Sequence, residues 1–118
     1  MRRAAPAMML ELEFDVTQRD IDMAVPMCDT LCAIAVALLR GMEQKFSKKR
    51  KVEGVQVFPN MISIAVRPPP KLDEYKTDDA LTHWIINYDF YRELCKPITV
   101  VLKDGVAYIK READNVNA

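Results

Sequence analysis

Nine successive residues, 31–39, carry no charged side chain and no hydroxyl or amide. Leu31, Ile34, Ala35, Leu38, Leu39 and Met42 fall at helical spacing, and the opposite side of the same helix holds Cys32, Ala33, Val36 and Ala37. A helix that is apolar on nearly every side has to be enclosed. The rest of the chain is therefore obliged to wrap it. Ala33, Ala37 and Gly41 stand four apart, a strip of small residues that lets another element approach closely. Asp29 or Thr30 is placed to cap this helix, and fraying is expected between Gly41 and Phe46. At nine residues the run is far short of the roughly 20 that a membrane span needs.

The flanking segments supply strands. Leu10, Leu12, Phe14 and Val16 alternate with Glu11, Glu13 and Asp15, which reads as a half-buried strand with an acidic outer face. Thr17 and Asp20 have the spacing of a capping box for a short helix over 18–23, and Pro26 bars its continuation. Beyond a charged loop at 45–51, residues 52–58 and 61–66 read as strands joined at Pro59-Asn60. Pro68, Pro69 and Pro70 leave the sheet, so 68–76 is expected to be a stiff surface connection. Thr77 then caps a last helix, with Asp78 and Asp79 in its first turn and Leu81, Trp84, Ile85, Tyr88 and Tyr91 along its apolar stripe; Lys96-Pro97 ends it. Residues 98–103 and 106–110 form a hairpin around Asp104-Gly105, a pair suited to a type I′ turn.

This order predicts an α+β fold: a four- to five-stranded, mainly antiparallel sheet packed against two main helices, in the order β-α-α-β-β-α-β-β. One domain is expected over 8–111, with flexible tails at 1–7 and 112–118. The predicted core comprises Leu12, Phe14, Ile34, Leu38, Val57, Ile64, Trp84, Ile85, Val100 and Leu102.

Val16-Thr17-Gln18-Arg19-Asp20-Ile21-Asp22, then Cys32-Ala33-Ile34-Ala35-Val36-Ala37-Leu38, resembles small α+β proteins encoded by bacteriophages, with their TQEDI-like turn and CPIALAL-like helix start. Trp84-Ile85-Ile86-Asn87-Tyr88-Asp89 is similar to their later WI..FD-like segment. The resemblance spans about residues 10–102. It departs at Ala33, where proline is usual in those proteins, and at the basic insertion after the helix. It implies a phage origin and carries over no catalytic residue.

Candidate chemistry is sparse. Cys28, Cys32, His83 and Cys95 offer four zinc-ligand types, but CxxxC with one distant His is a weak pattern beside paired CxxC motifs. The thiols otherwise read as packed core groups or as a redox pair. An odd cysteine count without an apolar leader points to reduced thiols in a cytoplasm, which is the bacterial host's if the chain is phage-encoded. Asp79 lies four residues before His83 and can orient it toward a thiol, yet such a His is more often an ordinary helix-surface residue. The three glycines are isolated, so no glycine-rich phosphate loop exists. The expectation is a protein that is not an enzyme, with no cofactor, metal, disulfide or membrane association.

Charge layout is more informative than the net charge, which is zero. Residues 45–71 hold seven cations against one anion, while 1–44 and 72–97 are each acidic by three. Lys45, Lys48, Lys49, Arg50 and Lys51 concentrate the excess. This cluster reads as a solvated loop at a helix C-terminus, as a contact for the acidic surface of a host protein, or as a nucleic-acid contact. No exposed aromatic residue is expected among these lysines to stack a base. The leading expectation is a non-enzymatic, phage-encoded interaction module, sharpest as an inhibitor of a host defence nuclease. The alternative is a nucleic-acid-binding accessory protein that uses the same loop.

Overall fold

The computed structural model describes residues 10–46, 51–67 and 70–112. They form β1 (Leu12–Val16), α1 (Gln18–Met23), α2 (Ala33–Phe46), β2 (Lys51–Phe58), β3 (Met61–Arg67), β4 (Lys71–Thr77), α3 (Asp79–Phe90), a 3-10 turn (Arg92–Leu94), β5 (Ile98–Lys103) and β6 (Val106–Glu112). The α+β class is as expected, and all ten predicted core residues are buried. Of the expected tails, 1–7 and 113–118 lie outside the described residues, and Glu112 ends β6. Among the described residues no helix is long and apolar enough to cross a membrane.

The sheet has six strands rather than four or five, in the order β1-β5-β6-β4-β3-β2. It is mixed, because β4 and β6 pair in parallel over a short stretch, Lys76 with Val106 and Thr77 with Ala107. The element order gains a third strand between α2 and α3. That strand, β4, occupies most of the segment expected to be a surface connection. Its inward face is polar in type: Asp73, Tyr75 and Thr77 are buried, whereas Leu72 faces solvent. A hydrophobic alternation signal is therefore absent. Hydrogen bonding makes the burial tolerable. Asp73 Oδ2 accepts from Leu10 N–H (3.1 Å), Lys71 Nζ pairs with Asp73 Oδ1 (3.3 Å), and the Tyr75 hydroxyl donates to Leu10 O (2.6 Å).

Helix α2 packs against both β1 and β2, the two edge strands of the sheet. A flat six-stranded sheet would hold its edges roughly 24 Å apart, about twice the diameter of a helix. The sheet must curl, and α2 fills its open side. Close contact with β1 falls at Gly41, where an added Cβ would lie 3.0 Å from Phe14 Cβ. That contact explains why α2 runs unfrayed to Phe46, with Met42 fully buried. At its other end α2 starts at Ala33, later than expected. Leu31 lies in the preceding turn and is 52% exposed.

The helix also covers the strand edges. Arg40 Nη2 donates to Asp15 O (3.0 Å) and Lys45 Nζ to Glu11 O (2.7 Å). On the far edge, Val57 N–H donates to Asp29 O, in the turn before α2 (2.8 Å). Unsatisfied edge groups invite pairing with other chains, and these contacts remove several of them. The capping box at α1 is reciprocal: Asp20 N–H donates to Thr17 Oγ1 and Thr17 N–H to Asp20 Oδ2. Arg40 then grips both Asp20 oxygens, at 2.8 and 2.7 Å, a bidentate geometry.

Two further details differ from expectation. Asp78, not Thr77, caps α3, by accepting from Leu81 N–H (2.9 Å). Thr77 is buried instead, donating to Pro59 O and meeting Thr82 Oγ1. Helix α3 ends at Phe90, well before Lys96-Pro97, so Tyr91 leaves the stripe and is exposed. The last hairpin is as expected: Asp104 and Gly105 have φ of 53° and 79°, the paired positive values that a type I′ turn needs.

Leu38→Ala is expected to lose about 2–5 kcal/mol in urea denaturation, through a cavity at the centre of the fold. A loss under about 1 kcal/mol would show that α2 is not the enclosed element. Asp20 adds a pH signature. Burial pushes its carboxyl up, but the hydrogen bonds from Arg40 and Thr17 outweigh this and leave it below its ordinary 3.8. A depressed folded-state value stabilises above the unfolded value and is lost as pH falls through the folded one. Wild-type stability should therefore drop on acidification below about pH 4, and Asp20→Asn should flatten that limb of the curve.

Candidate functional site

Pro26 stops α1 from continuing, and the chain turns sharply through Met27, which takes a positive φ of 60°. Such a conformation costs a side-chain-bearing residue roughly 1–2 kcal/mol. It is held by a hydrogen bond from Met27 N–H to Asp89 Oδ1 on α3 (2.9 Å). The same turn is fastened to β2, where Gln56 Nε2 donates to Asp29 Oδ2 (3.2 Å). Arg92 fastens the end of α1, reaching Ile21 O (3.5 Å) and Ala24 O (3.1 Å).

Between this turn, the β2–β3 connection and α3 lies a cleft of about 320 Å³. Its apolar wall includes Ile34, Val57, Trp84 and Ile85; Cys28, Asp29, Cys32 and Asp89 supply polar and sulfur atoms. Trp84 and Tyr88 stack with centroids 5.7 Å apart and planes 4° from parallel. Trp84 is anchored by its Nε1–H, which donates to Lys96 O (3.0 Å). Tyr88 also lines the cleft, and its hydroxyl is buried with no hydrogen-bond partner at bonding geometry. Burial raises its pKa, a rise that nearby Arg92 only tempers.

The three thiols are free and differ in setting. Cys28 is partly exposed, and its thiol is held below the usual value by hydrogen bonding with the Thr30 hydroxyl, 3.6 Å away, and with the Thr30 and Leu31 backbone. Cys32 is buried, which pushes its thiol up. Cys95 is also buried; desolvation raises it to about 11, and its Sγ donates to Trp84 O (3.8 Å). His83 stands on the exposed face of α3 and does not line the cleft. The structure thus brings Cys28 and Cys32 together and leaves His83 outside their cleft. Among the described residues no group of three or more His, Cys, Asp or Glu is arranged to hold a metal ion.

The basic cluster is placed only in part. Lys45 lies in the last turn of α2 and is committed to Glu11 O. Lys51 opens β2, while Lys48, Lys49 and Arg50 lie outside the described residues. The acidic face of β1 is engaged within the sheet: Glu13 pairs with Lys110 (3.1 Å), and Asp15 Oδ1 accepts from the Thr99 hydroxyl (2.7 Å).

Sequence reasoning missed the rim of the cleft. Met27 lines the cleft and is exposed, and Met23, Val25 and Leu31 around it in the chain and Phe90, Tyr91 and Leu94 at and beyond the end of α3 are exposed as well. Leu31 and Tyr91 fit helical stripes in the sequence, which hides their exposure. The available signal was Met27, a large apolar residue in a segment that Pro26 bars from helix. No protein-family model, curated protein or solved structure matches the chain.

Because the Tyr88 hydroxyl is buried with no partner at hydrogen-bond geometry and only Arg92 near it, deleting it removes a desolvated group and at most one weak contact. Tyr88→Phe is expected to leave stability unchanged or raise it by up to about 1 kcal/mol in urea denaturation. A loss above about 1 kcal/mol would show that the hydroxyl is bonded in solution.

Proposed function

We propose that the chain is a non-enzymatic protein-interaction module that docks its partner on the apolar rim of the cleft. One observation carries this reading. Of ten exposed large apolar side chains among the described residues, eight fall in two segments, 23–31 and 86–94. Those segments are tied to each other by the Met27–Asp89 and Arg92–Ala24 hydrogen bonds. Concentrated exposed apolar surface marks an interaction site. The strained turn that presents Met27 supports the same reading, because strain collects where a surface is used.

The basic residues 45–51 complement the rim by steering an acidic host protein toward it, since charge acts mainly on the association rate. The phage resemblance sharpens the partner to a host defence nuclease. Inhibition by surface docking would require no catalytic group in this chain.

The test starts from a partner captured from nuclease-treated bacterial lysate and then purified. Met27→Asp together with Phe90→Asp should weaken the measured Kd at least about 100-fold, as expected for two desolvated anchors. Both side chains are exposed, so the Phe90 change should alter stability by about 0.5 kcal/mol or less, and the Met27 change, which sets a carboxylate beside Asp89, by about 1 kcal/mol or less. Changing Lys48, Lys49, Arg50 and Lys51 to Glu should slow association and leave the dissociation rate nearly unchanged. If instead duplex DNA binds below micromolar at about 150 mM salt, with a log–log salt slope near −3 to −4 that the glutamate variant abolishes, the nucleic-acid reading replaces this one.

A further inference from the structure

We propose that the cleft between the Met27 turn and α3 binds a primary ammonium group carried on a short apolar stem. Its volume of about 320 Å³ lies at the small end of the range for ligand clefts, roughly 300–1,000 Å³. Such sites combine an apolar wall with a few polar groups that fix orientation. Here Ile34, Val57, Trp84 and Ile85 provide the wall, and all four belong to the buried core. A wall of that kind does not shift to suit a ligand, and its extent suits a short aliphatic stem.

The polar groups select the charge. Asp29 and Asp89 both line the cleft, and among the described residues no Lys, Arg or His lines it. Each carboxylate is held through one oxygen by a neutral donor: Asp29 Oδ2 accepts from the Gln56 side chain, and Asp89 Oδ1 from Met27 N–H. Neither forms an ion pair among the described residues. Arg92 stands near Tyr88, but its guanidinium donates to Ile21 O and Ala24 O. Two anchored carboxylates thus face one cleft with no cation between them, and a bound cation relieves their repulsion. A guanidinium pairs best with both oxygens of one carboxylate, and here one oxygen of each is already engaged. A compact ammonium, which needs single oxygens, fits better.

Tyr88 is an independent sign of a ligand. It lines the same cleft, is 1% exposed, and its hydroxyl has no partner at hydrogen-bond geometry. Its ring is fixed by the stack on Trp84, so the hydroxyl cannot swing out to water. Buried hydroxyls in folded proteins are nearly always bonded. A ligand N–H supplies the bond that the chain does not. Asp29, Asp89 and the Tyr88 hydroxyl then offer one acceptor for each of the three donors of an ammonium. An alcohol of the same shape brings a single donor and no charge.

The experiment titrates the full chain with hexylammonium at neutral pH and follows the fluorescence of Trp84, the chain's one tryptophan. Trp84 lines the cleft, so its emission reads occupancy directly. Hexanol, with the same stem and no charge, is the control. Hexylammonium should bind at least about 10-fold more tightly than hexanol, the margin expected for hydrogen bonds to charged groups. That comparison uses the wild-type chain and needs no variant to fold. Asp29→Asn and Asp89→Asn each remove one charge and keep an acceptor oxygen for Gln56 and Met27. Either change should weaken hexylammonium at least about 10-fold and leave hexanol unaffected. Tyr88→Phe should weaken hexylammonium about 3-fold or more while stability in urea holds or rises. A lysine with both backbone ends capped tests the source of the group. If it binds as tightly as hexylammonium, the ammonium is a lysine side chain of a docked protein; if hexylammonium alone binds, it is a free amine. Equal affinity for hexanol and hexylammonium would overturn the proposal. So would a hexylammonium affinity that neither Asp variant changes. These titrations involve no protein partner, so their failure leaves the interaction reading standing.

Discussion

The fold depends on one helix reaching both edges of one sheet. Helix α2 touches β1 and β2, which stand at opposite ends of the strand order. Its apolar residues are buried because the sheet curls around them. Two of its polar side chains reach the edge of β1, Arg40 at Asp15 O and Lys45 at Glu11 O. Remove the helix and two strand edges and the inner sheet face are exposed at once. A single element therefore carries the hydrophobic core and the protection of the sheet against edge pairing.

The cleft follows from the same arrangement. The chain must enter α2 beside β2, and Pro26 prevents it from arriving as a helix. The result is a tight turn with Met27 at positive φ, fastened to Asp89 on α3 and through Asp29 to Gln56 and Val57 on β2. The turn brings Met27, Cys28 and Cys32 to the cleft and leaves Leu31 exposed outside it. A cluster of exposed apolar side chains and a pair of chemically unequal thiols thus arise from one topological demand.

Where sequence reasoning failed, the failures share a cause. The inner face of β4 reads as polar, and partners distant in the chain help make its burial tolerable: Leu10 meets Asp73 and Tyr75, while Thr77 meets Pro59. No local pattern announces a buried Asp. Leu31 and Tyr91 fit helical periodicity and yet lie outside their helices, because the turn before α2 and the early end of α3 are settled by contacts between segments. The fraying expected after Gly41 does not occur, because β1 packs onto the glycine.

The sequence by itself determined the enclosed helix, the alternation of β1, the capping box at Thr17 and the Asp104-Gly105 turn. Each rests on interactions within a few residues or on a periodicity that burial must respect. It also determined the core, since Leu38, Ile64 and Val100 have nowhere else to go. Only the tertiary structure decided the sixth strand, the curl of the sheet, the cleft and its apolar rim. Those depend on which edges α2 spans and on hydrogen bonds between residues as far apart as Leu10 and Tyr75, and such pairings leave no periodic trace in either segment.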